Sequence, residues 1–288
     1  MSHIEHILAS QNQLGEGPIW DDEHAQLIWV DINRGAIHRF RPQSEEHTSE
    51  SLGVPIGCLG LRKHGGLVLA TKDGFAFWEE GESQLNPFLN PESDRPHARF
   101  NDGSVDPAGR FWAGTMTTDT SDNVLYCLDP DLSHHVMESN IMISNGIGWS
   151  PDQRTMYFTD SPRRLIYAYN YDVPTGAIEN RRTFVHSLGE PGVPDGLCVD
   201  QDGCVWSAQW DGWKIIRYDP DGKPMQNIEL PVQRPTSCTF GGTDLDILYI
   251  TSASIDLSEG ARKEQPMAGD LFMFQTETRG LHENRFLG

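Results

Sequence analysis

The sequence has few basic residues: 22 Lys and Arg stand against 42 Asp and Glu in 288 residues, a formal net charge of -20. No stretch gathers enough positive charge to follow a phosphate backbone, so we expect no nucleic-acid partner. No run of about 18 apolar residues occurs, and the first residues show neither a basic nor an apolar leader segment. We therefore expect a soluble, cytoplasmic protein without membrane contact.

Cysteine is also sparse, since the chain has only five, with no CxxC pair, all within strand-like apolar runs. This pattern favours reduced core residues over disulfides or a structural zinc site. The Gly-x-Ser-x-Gly motif is absent, and none of the 11 His residues is placed by the sequence to activate a serine or cysteine. The sequence thus argues against a serine or cysteine nucleophile.

What the chain does contain is a unit repeated six times. Each copy has a small or polar residue, a short apolar run, a turn rich in Asp, Gly and Pro, and a second apolar run. The copies are spaced by about 44 residues on average, which is typical of propeller blades. The runs are short and rich in Val, Ile, Leu and aromatic residues, so they predict strands.

A third apolar run follows in every unit, and weaker segments predict a fourth strand in five of them. These weaker segments lie around residues 51–53, 87–89, 135–138, 182–186 and 226–230. The sixth unit has no outer strand of its own, and the N-terminal residues 3–8 are suited to pair there and cover its edge. We therefore predict an all-β, six-bladed β-propeller closed by the N-terminal strand, with residues 1–288 forming a single domain.

One position recurs in register just ahead of the first strand of each unit, and we call it the inner-ring position. It is occupied by Glu16, Gly57, Asn101, Asn145, Asp195 and Thr236. First strands line the channel of a propeller, so these residues should meet at one channel mouth. Hard divalent cations favour carboxylate and amide oxygens, and we expect Glu16, Asn145 and Asp195 to bind one. The alternative is a purely structural turn role, although Glu has no turn preference.

Four segments carry a resemblance that spans nearly the whole chain. They are LGEGPIW (14–20), ARFNDGSVDPAGRFWAGTM (98–116), SNGIGWSPDQRTMYFTDS (144–161) and VPDGLCVDQDGCVW (193–206). In these the sequence resembles the SMP-30/gluconolactonase/luciferin-regenerating family of six-bladed propeller lactonases. The resemblance implies Glu16, Asn145 and Asp195 as metal ligands. It also implies that Asn101 contacts the metal-bound water or a substrate oxygen, and that Arg99 holds a substrate hydroxyl or carbonyl.

Further candidates lie at the expected rim of the site. The resemblance implies a substrate contact for Asp119, although Asp is shorter than the Glu found there in relatives, and a surface-loop role is the alternative. The second strands return to the same face, which places Ser161 and Trp210 nearby. Trp210 is a candidate sugar platform or else a core residue, and His97 is a candidate site neighbour or else a loop residue.

These features together predict a metal-dependent sugar lactonase that hydrolyses an aldono-lactone, either gluconolactone-like or a related hexono- or pentonolactone, to the aldonic acid. A dication would polarise the carbonyl and lower the pKa of water, Asp195 would act as general base, and Arg99 and Asn101 would stabilise the oxyanion. The alternatives are a non-catalytic propeller that binds a cation or a partner, and a phosphotriester hydrolase. Oxygen ligands suit Ca²⁺, Mg²⁺ and Mn²⁺, and relatives also take Zn²⁺ or Fe²⁺, so the metal, the exact lactone and the oligomeric state stay open.

Overall fold

The structure is a computed structural model that describes residues 3–117 and 121–288. Within these residues, 24 strands form six four-stranded antiparallel sheets, each of them one blade of a propeller. The predicted six-bladed architecture is confirmed. The strands of the first half of the chain are β1 (Ile4–Leu8), β2 (Gly15–Asp21), β3 (Gln26–Asp31), β4 (Ala36–Arg41), β5 (Glu46–Ser51), β6 (Ile56–Leu61), β7 (Leu67–Thr71), β8 (Gly74–Trp78), β9 (Asn86–Leu89), β10 (Arg99–Val105), β11 (Phe111–Met116), β12 (Asn123–Leu128) and β13 (His134–Ile141).

The second half of the chain continues the same pattern and adds one short helix. Its elements are β14 (Ser144–Trp149), β15 (Thr155–Asp160), β16 (Leu165–Tyr171), β17 (Ile178–His186), β18 (Val193–Val199), β19 (Val205–Trp210), β20 (Lys214–Tyr218), β21 (Pro224–Glu229), β22 (Pro235–Gly241), β23 (Ile247–Ser252), α1 (Glu259–Glu264) and β24 (Leu271–Gln275). The helix is capped by Ser258, whose side chain accepts a hydrogen bond from the backbone of Ala261. Among the described residues, no helix combines the length and the apolar character needed to cross a membrane.

Blades 1 to 5 each consist of four consecutive strands, beginning at β2, β6, β10, β14 and β18. Blade 6 has the order β22-β23-β24-β1, so the N-terminal strand supplies its outer edge. The antiparallel register pairs Ile4 with Phe274 and His6 with Phe272. This closure, which the sequence predicts, covers an edge that would otherwise expose unpaired backbone groups.

The hydrophobic core lies between neighbouring blades. Strands β3, β6, β7, β14 and β22 are buried along their whole length. Aromatic side chains fill the space between the sheets; for example, Trp206 of blade 5 meets Phe240 of blade 6 edge to face, with 5.6 Å between ring centroids. Because apolar side chains on both faces are covered, the inner strands show continuous apolar runs and not strict alternation.

Two of the turns between first and second strands are locked by a carboxylate. Asp106 accepts a hydrogen bond from the indole nitrogen of Trp112 at 2.9 Å, and Asp200 accepts the same bond from Trp206 at 2.9 Å. Each carboxylate also accepts from a backbone N–H of its own turn. The repeated Asp-to-Trp spacing of six residues therefore has a structural role.

The outer strands are the least accurately predicted elements. Strands β9, β13, β17 and β21 overlap the segments expected from the sequence. The first outer strand was expected around residues 51–53, but β5 covers Glu46–Ser51. Its sequence EHTSES is polar and mostly exposed, so no apolar pattern marks where the strand lies.

The C-terminal segment 276–288 belongs to no blade and packs over the end of the channel opposite the inner-ring residues. Phe286 is buried, and its backbone nitrogen donates to the carbonyl oxygen of Leu61 at 2.8 Å. Arg285 forms an ion pair with Asp21 at 3.0 Å. Residues 281–284 line a channel cavity of about 350 Å³ together with the first strands of several blades.

Candidate metal centre

The inner-ring position lies inside the first strand of each blade, not ahead of it as the sequence interpretation placed it. Glu16 is the second residue of β2, and Asp195 is the third residue of β18. In every blade the register with the second strand is irregular at this point. The irregularities fall between Glu16 and Ile19, Ile56 and Cys58, Phe100 and Gly103, Asn145 and Ile147, Pro194 and Leu197, and Pro235 and Ser237. β-bulges re-aim side chains, so the strands can present a ring of polar groups and still continue.

Neighbouring first strands approach closely at this level. A Cβ added to Gly57 would lie 2.5 Å from the carbonyl carbon of Phe100 and 2.6 Å from the carbonyl oxygen of Asn101. A Cβ on Gly146 would lie 2.7 Å from the carbonyl oxygen of Asp195. Glycine is required at both positions because backbone from the next blade occupies the space of a side chain. This close packing brings the polar residues of adjacent blades together.

A chain of hydrogen bonds joins three of the predicted site residues. Arg99 Nη1 donates to Asn101 Oδ1 at 2.7 Å, and Asn101 Nδ2 donates to Asn145 Oδ1 at 2.8 Å. Asn101 Nδ2 also donates to the carbonyl oxygen of Ser144 at 2.8 Å. Asn145 Nδ2 in turn donates to Ser161 Oγ at 2.7 Å. The structure therefore brings Arg99, Asn101 and Asn145 together as the sequence predicts.

Three buried carboxylates at this level have raised pKa values, and the charge of Asp102 contributes to the shift of the other two. Burial raises the pKa of Glu16 well above its usual range, and the charges of Asp195 and Asp102 raise it further. Burial likewise raises the pKa of Asp195, again with a contribution from Asp102. Burial also raises the pKa of Asp102 to about 6. Glu16 and Asp195, from blades 1 and 5, are thus electrostatic neighbours.

Little positive charge balances these carboxylates. Burial lowers the pKa of Arg99 to about 10, so its guanidinium stays protonated at neutral pH and is drawn towards Glu16. From the described part of the chain, Glu16 accepts a single hydrogen bond, from the backbone nitrogen of Gly17 at 3.2 Å. In residues 3–117 and 121–288, no Lys, Arg or His forms a salt bridge with Glu16, Asp102 or Asp195.

The donor set therefore fits a divalent cation. It combines carboxylate and amide oxygens, which Ca²⁺ and Mg²⁺ favour, with three buried carboxylates that form no salt bridge with a described residue. Buried charges are costly unless they are paired or coordinate a metal. Glu16, Asn145 and Asp195 are the residues that would hold the ion.

Two of the six inner-ring residues have other roles. Gly57 provides space for the neighbouring backbone, and the Thr236 hydroxyl donates to the carbonyl oxygen of Gly15 at 2.5 Å. The Thr236 hydroxyl also lies 2.9 Å from that of Thr251. The oxygen donors available for a ligand therefore come from blades 1, 3, 4 and 5.

The remaining candidates differ in how the structure places them. Asp119 lies outside the described residues, so its substrate contact stays a prediction. His97 is exposed, and no polar contact joins it to the described site residues. Trp210 is partly buried at the end of β19, and the guanidinium of Arg234 lies 4.7 Å from its ring centroid. Trp210 also packs against the adjoining hydrophobic core, which favours its alternative role as a core residue.

Sequence reasoning missed Asp102. This residue follows the inner-ring position of blade 3, where the other five blades carry Gly17, Cys58, Gly146, Gly196 and Ser237. When the six repeats are aligned, Asp102 is the only carboxylate at the position that follows the inner ring. Ser161 was placed at the rim, but nothing in the sequence signals its contact with Asn145.

Residues 14–254 match the family described as the SMP-30/Gluconolactonase/LRE-like region. The chain belongs to this family. The matched region of the SMP-30/Gluconolactonase/LRE-like family contains all six inner-ring residues and both Arg99 and Ser161.

Relatives and a solved structure extend the similarity to nearly the whole chain. The regucalcin of Danio rerio is 38% identical over 274 residues, which cover 93% of this chain and 92% of that protein. The 6-deoxy-6-sulfogluconolactonase of Pseudomonas putida is 37% identical over 288 residues, 98% of each chain. The crystal structure of regucalcin from Agrobacterium tumefaciens strain C58, described as a calcium-binding protein, has a TM-score of 0.94 at 28% identity and covers 98% of this chain and 96% of that one. These matches support one fold along the full length.

Proposed function

We propose that the protein is a metal-dependent hydrolase that opens a sugar lactone to the corresponding aldonic acid. The observation that carries this proposal is the set of three buried carboxylates with raised pKa values, none of them in a salt bridge with a described residue, together with the hydrogen-bonded chain from Arg99 to Asn145. A relative of similar length is named as a sugar lactonase. Glu16, Asn145 and Asp195 would bind the cation.

The bound cation would supply Lewis acidity at the lactone carbonyl and lower the pKa of the attacking water. Asp195 is the candidate general base, because its carboxylate accepts no hydrogen bond from the described residues and is free to take a proton from water. Without a cation, burial raises the pKa of the Asp195 carboxyl. A nearby dication would favour the ionised form, which a general base requires.

Arg99 is the candidate donor to the oxyanion that develops on the carbonyl oxygen. Its guanidinium has five N–H groups, and among the described residues only Nη1 is engaged, on Asn101 Oδ1 and the Phe100 carbonyl oxygen. Arg99 therefore keeps donors free for a substrate oxygen.

For Asn101 we keep the expected contact with water or a substrate oxygen, but not the expected share in oxyanion stabilisation. Its amide nitrogen donates to both Ser144 and Asn145, so both hydrogens are used. Only the Asn101 amide oxygen has remaining capacity, and it accepts. We therefore assign Asn101 to receive a hydrogen bond from a substrate hydroxyl or from water, and we leave oxyanion stabilisation to Arg99 and the cation.

The test is proton release from a panel of glucono-, galactono-, xylono- and arabinonolactones, because opening a lactone yields an acid. Activity is measured on protein as purified, after chelation, and after Ca²⁺, Mg²⁺, Mn²⁺ or Zn²⁺ is restored. We expect activity that is lost on chelation, returns with a cation, and is absent in Asp195→Ala. Absence of metal-restorable hydrolysis across the panel would refute the proposal.

A non-catalytic cation-binding role is the second candidate, and the description of the Agrobacterium structure as calcium-binding favours it. It predicts cation binding without turnover. It also predicts that Arg99→Ala leaves function intact, because a binding protein has no oxyanion to stabilise. Elemental analysis of the purified protein, together with the lactone panel, separates the two candidates.

A further inference from the structure

The Ser161 hydroxyl contacts one candidate ligand and lies outside the ligand set. Ser161 follows β15 in blade 4, is 5% exposed, and its Oγ accepts from Asn145 Nδ2 at 2.7 Å. Asn145 is itself 5% exposed. The pair is therefore a buried hydrogen bond directly behind a residue that would hold the cation.

The orientation of both amides follows from partners that can act in only one way. Arg99 can only donate, so the Asn101 atom that faces it is Oδ1. The carbonyl oxygen of Ser144 can only accept, so the Asn101 atom on it is Nδ2. That nitrogen also contacts Asn145, which must therefore present Oδ1 to it. The remaining Asn145 atom, Nδ2, then faces Ser161.

We propose that Ser161 is a positioning residue that holds the Asn145 amide with its oxygen on the side of Asn101, and so sets the affinity for the divalent cation. This inference rests on the proposed function, because it assumes that Asn145 Oδ1 is a ligand. Ser161 itself is not one of the candidate ligands. It acts by accepting the amide hydrogen at the back of Asn145.

Without the Ser161 hydroxyl, neither orientation of the Asn145 amide satisfies its hydrogen bonds. With alanine at position 161, Asn145 Nδ2 is buried without an acceptor, which is costly. Turning the amide over would direct its nitrogen at Asn101 Nδ2 and oppose two donors. The side chain is thus driven out of the binding orientation, and the apparent cation affinity falls with the fraction of molecules that retain it.

Ser252 provides a matched control. It ends β23, the second strand of blade 6, and is fully buried. Its hydroxyl donates to the carbonyl oxygen of Asp270 at 2.7 Å and accepts from Gly269 at 3.1 Å. Ser252→Ala therefore removes a buried serine hydroxyl from the corresponding strand without touching a candidate ligand.

The experiment is calorimetric titration of chelator-treated protein with Ca²⁺ and with Mn²⁺, alongside thermal unfolding in chelator. We expect Ser161→Ala to weaken the affinity about 10-fold or more, as removal of outer-shell partners typically does. We expect Ser252→Ala to lower the melting temperature but to keep the affinity within about 3-fold of wild type. If Ser161→Ala does not unfold cooperatively, Ser161→Cys replaces it, because a thiol fills the space but accepts weakly.

A second arm uses Asn145→Asp, whose carboxylate offers an oxygen in either orientation. In that background, removal of the Ser161 hydroxyl should cost much less affinity than in wild type. The inference is overturned if Ser161→Ala binds as tightly as wild type, if Ser252→Ala loses as much, or if the loss persists unchanged beside Asn145→Asp. If the wild-type protein binds neither Ca²⁺ nor Mn²⁺, both the proposed metal centre and this inference are refuted. Cation binding that depends on Ser161 in a protein without lactonase activity keeps the inference and refutes the proposed function.

Discussion

Replacing Asp102 by Asn should stabilise the metal-free protein. Burial raises the Asp102 pKa from 3.8 to about 6, so the native state disfavours the ionised form. Above pH 6 the folded protein must hold that carboxylate ionised, at a cost of about 3 kcal/mol relative to the unfolded chain. Asn removes the charge and keeps an oxygen that can accept from Gly103, as Asp102 does at 2.7 Å. The gain should therefore approach about 3 kcal/mol, or about 5 °C in melting temperature.

The pH dependence gives this prediction its sign. A carboxyl whose pKa is raised on folding binds its proton more tightly in the native state, so its contribution to stability is present below pH 3.8 and lost as the pH rises through about 6. The advantage of Asp102→Asn should thus be full at pH 8, smaller at pH 5 and absent near pH 3.

Urea unfolding in chelator at these three pH values measures the effect. With cation present the sign should reverse, because the same substitution removes negative charge from the site and weakens binding. Calorimetric titration with Ca²⁺ and Mn²⁺ checks that second half. The reasoning would be refuted if metal-free Asp102→Asn were less stable than wild type at pH 8, or if its gain in unfolding free energy were the same at all three pH values. Either result would show that the ionised Asp102 carboxylate does not destabilise the native state.

Three further changes test the site and its frame. Arg99→Ala should lower kcat/KM for the preferred lactone by about 100-fold or more, as loss of an oxyanion donor does, with cation affinity kept; unchanged steady-state rates would contradict the assignment. The rise in melting temperature on adding Ca²⁺ or Mn²⁺ should be larger at pH 8 than at pH 5.5, because protons compete for carboxylates with raised pKa values; a rise independent of pH would argue that the cation binds elsewhere. Gly57→Ala should cost about 1–3 kcal/mol or more in urea unfolding, since its Cβ would lie 2.5 Å from the Phe100 backbone, whereas Gly260→Ala in α1 meets nothing closer than 3.9 Å and should be neutral or stabilising.

The number of blades and the closure of the ring could be predicted because both depend on a repeat. Apolar runs at a spacing of about 44 residues mark every inner strand. The N-terminal strand was predictable for a topological reason: the sixth unit lacked an outer strand, and β1 was otherwise unassigned. Outer strands were harder, because β5 holds its place through backbone pairing to β4 and carries few apolar side chains.

For the candidate site, the sequence indicated which residues lie together, but not how their side chains are arranged. Repeat phase and resemblance named Arg99, Asn101 and Asn145, and the structure joins them by hydrogen bonds. The β-bulges orient these side chains towards the inner ring. They depend on contacts between blades, which cannot be predicted from the sequence of one strand. Asp102 was missed for a related reason: a carboxylate next to Asn reads as an ordinary turn residue until its burial is known.

The oxygen donors of the inner ring come from four of the six blades, which leaves the other two free to differ without changing the candidate site. Blades 2 and 6 offer no side-chain oxygen for a ligand at the inner-ring position. Gly57 has no side chain because the backbone of blade 3 fills that space, and the Thr236 hydroxyl donates to the carbonyl oxygen of Gly15. Blade 6 instead supplies the long connection 253–270, which hydrogen-bonds to the carbonyl oxygen of Gln13 just before β2 and so lies at the same mouth. The residues proposed to hold a cation belong to bulged first strands, whereas the connection beside them is irregular apart from α1. Such loops change without loss of the frame, so substrate choice within the family can vary at the rim while the ring stays fixed.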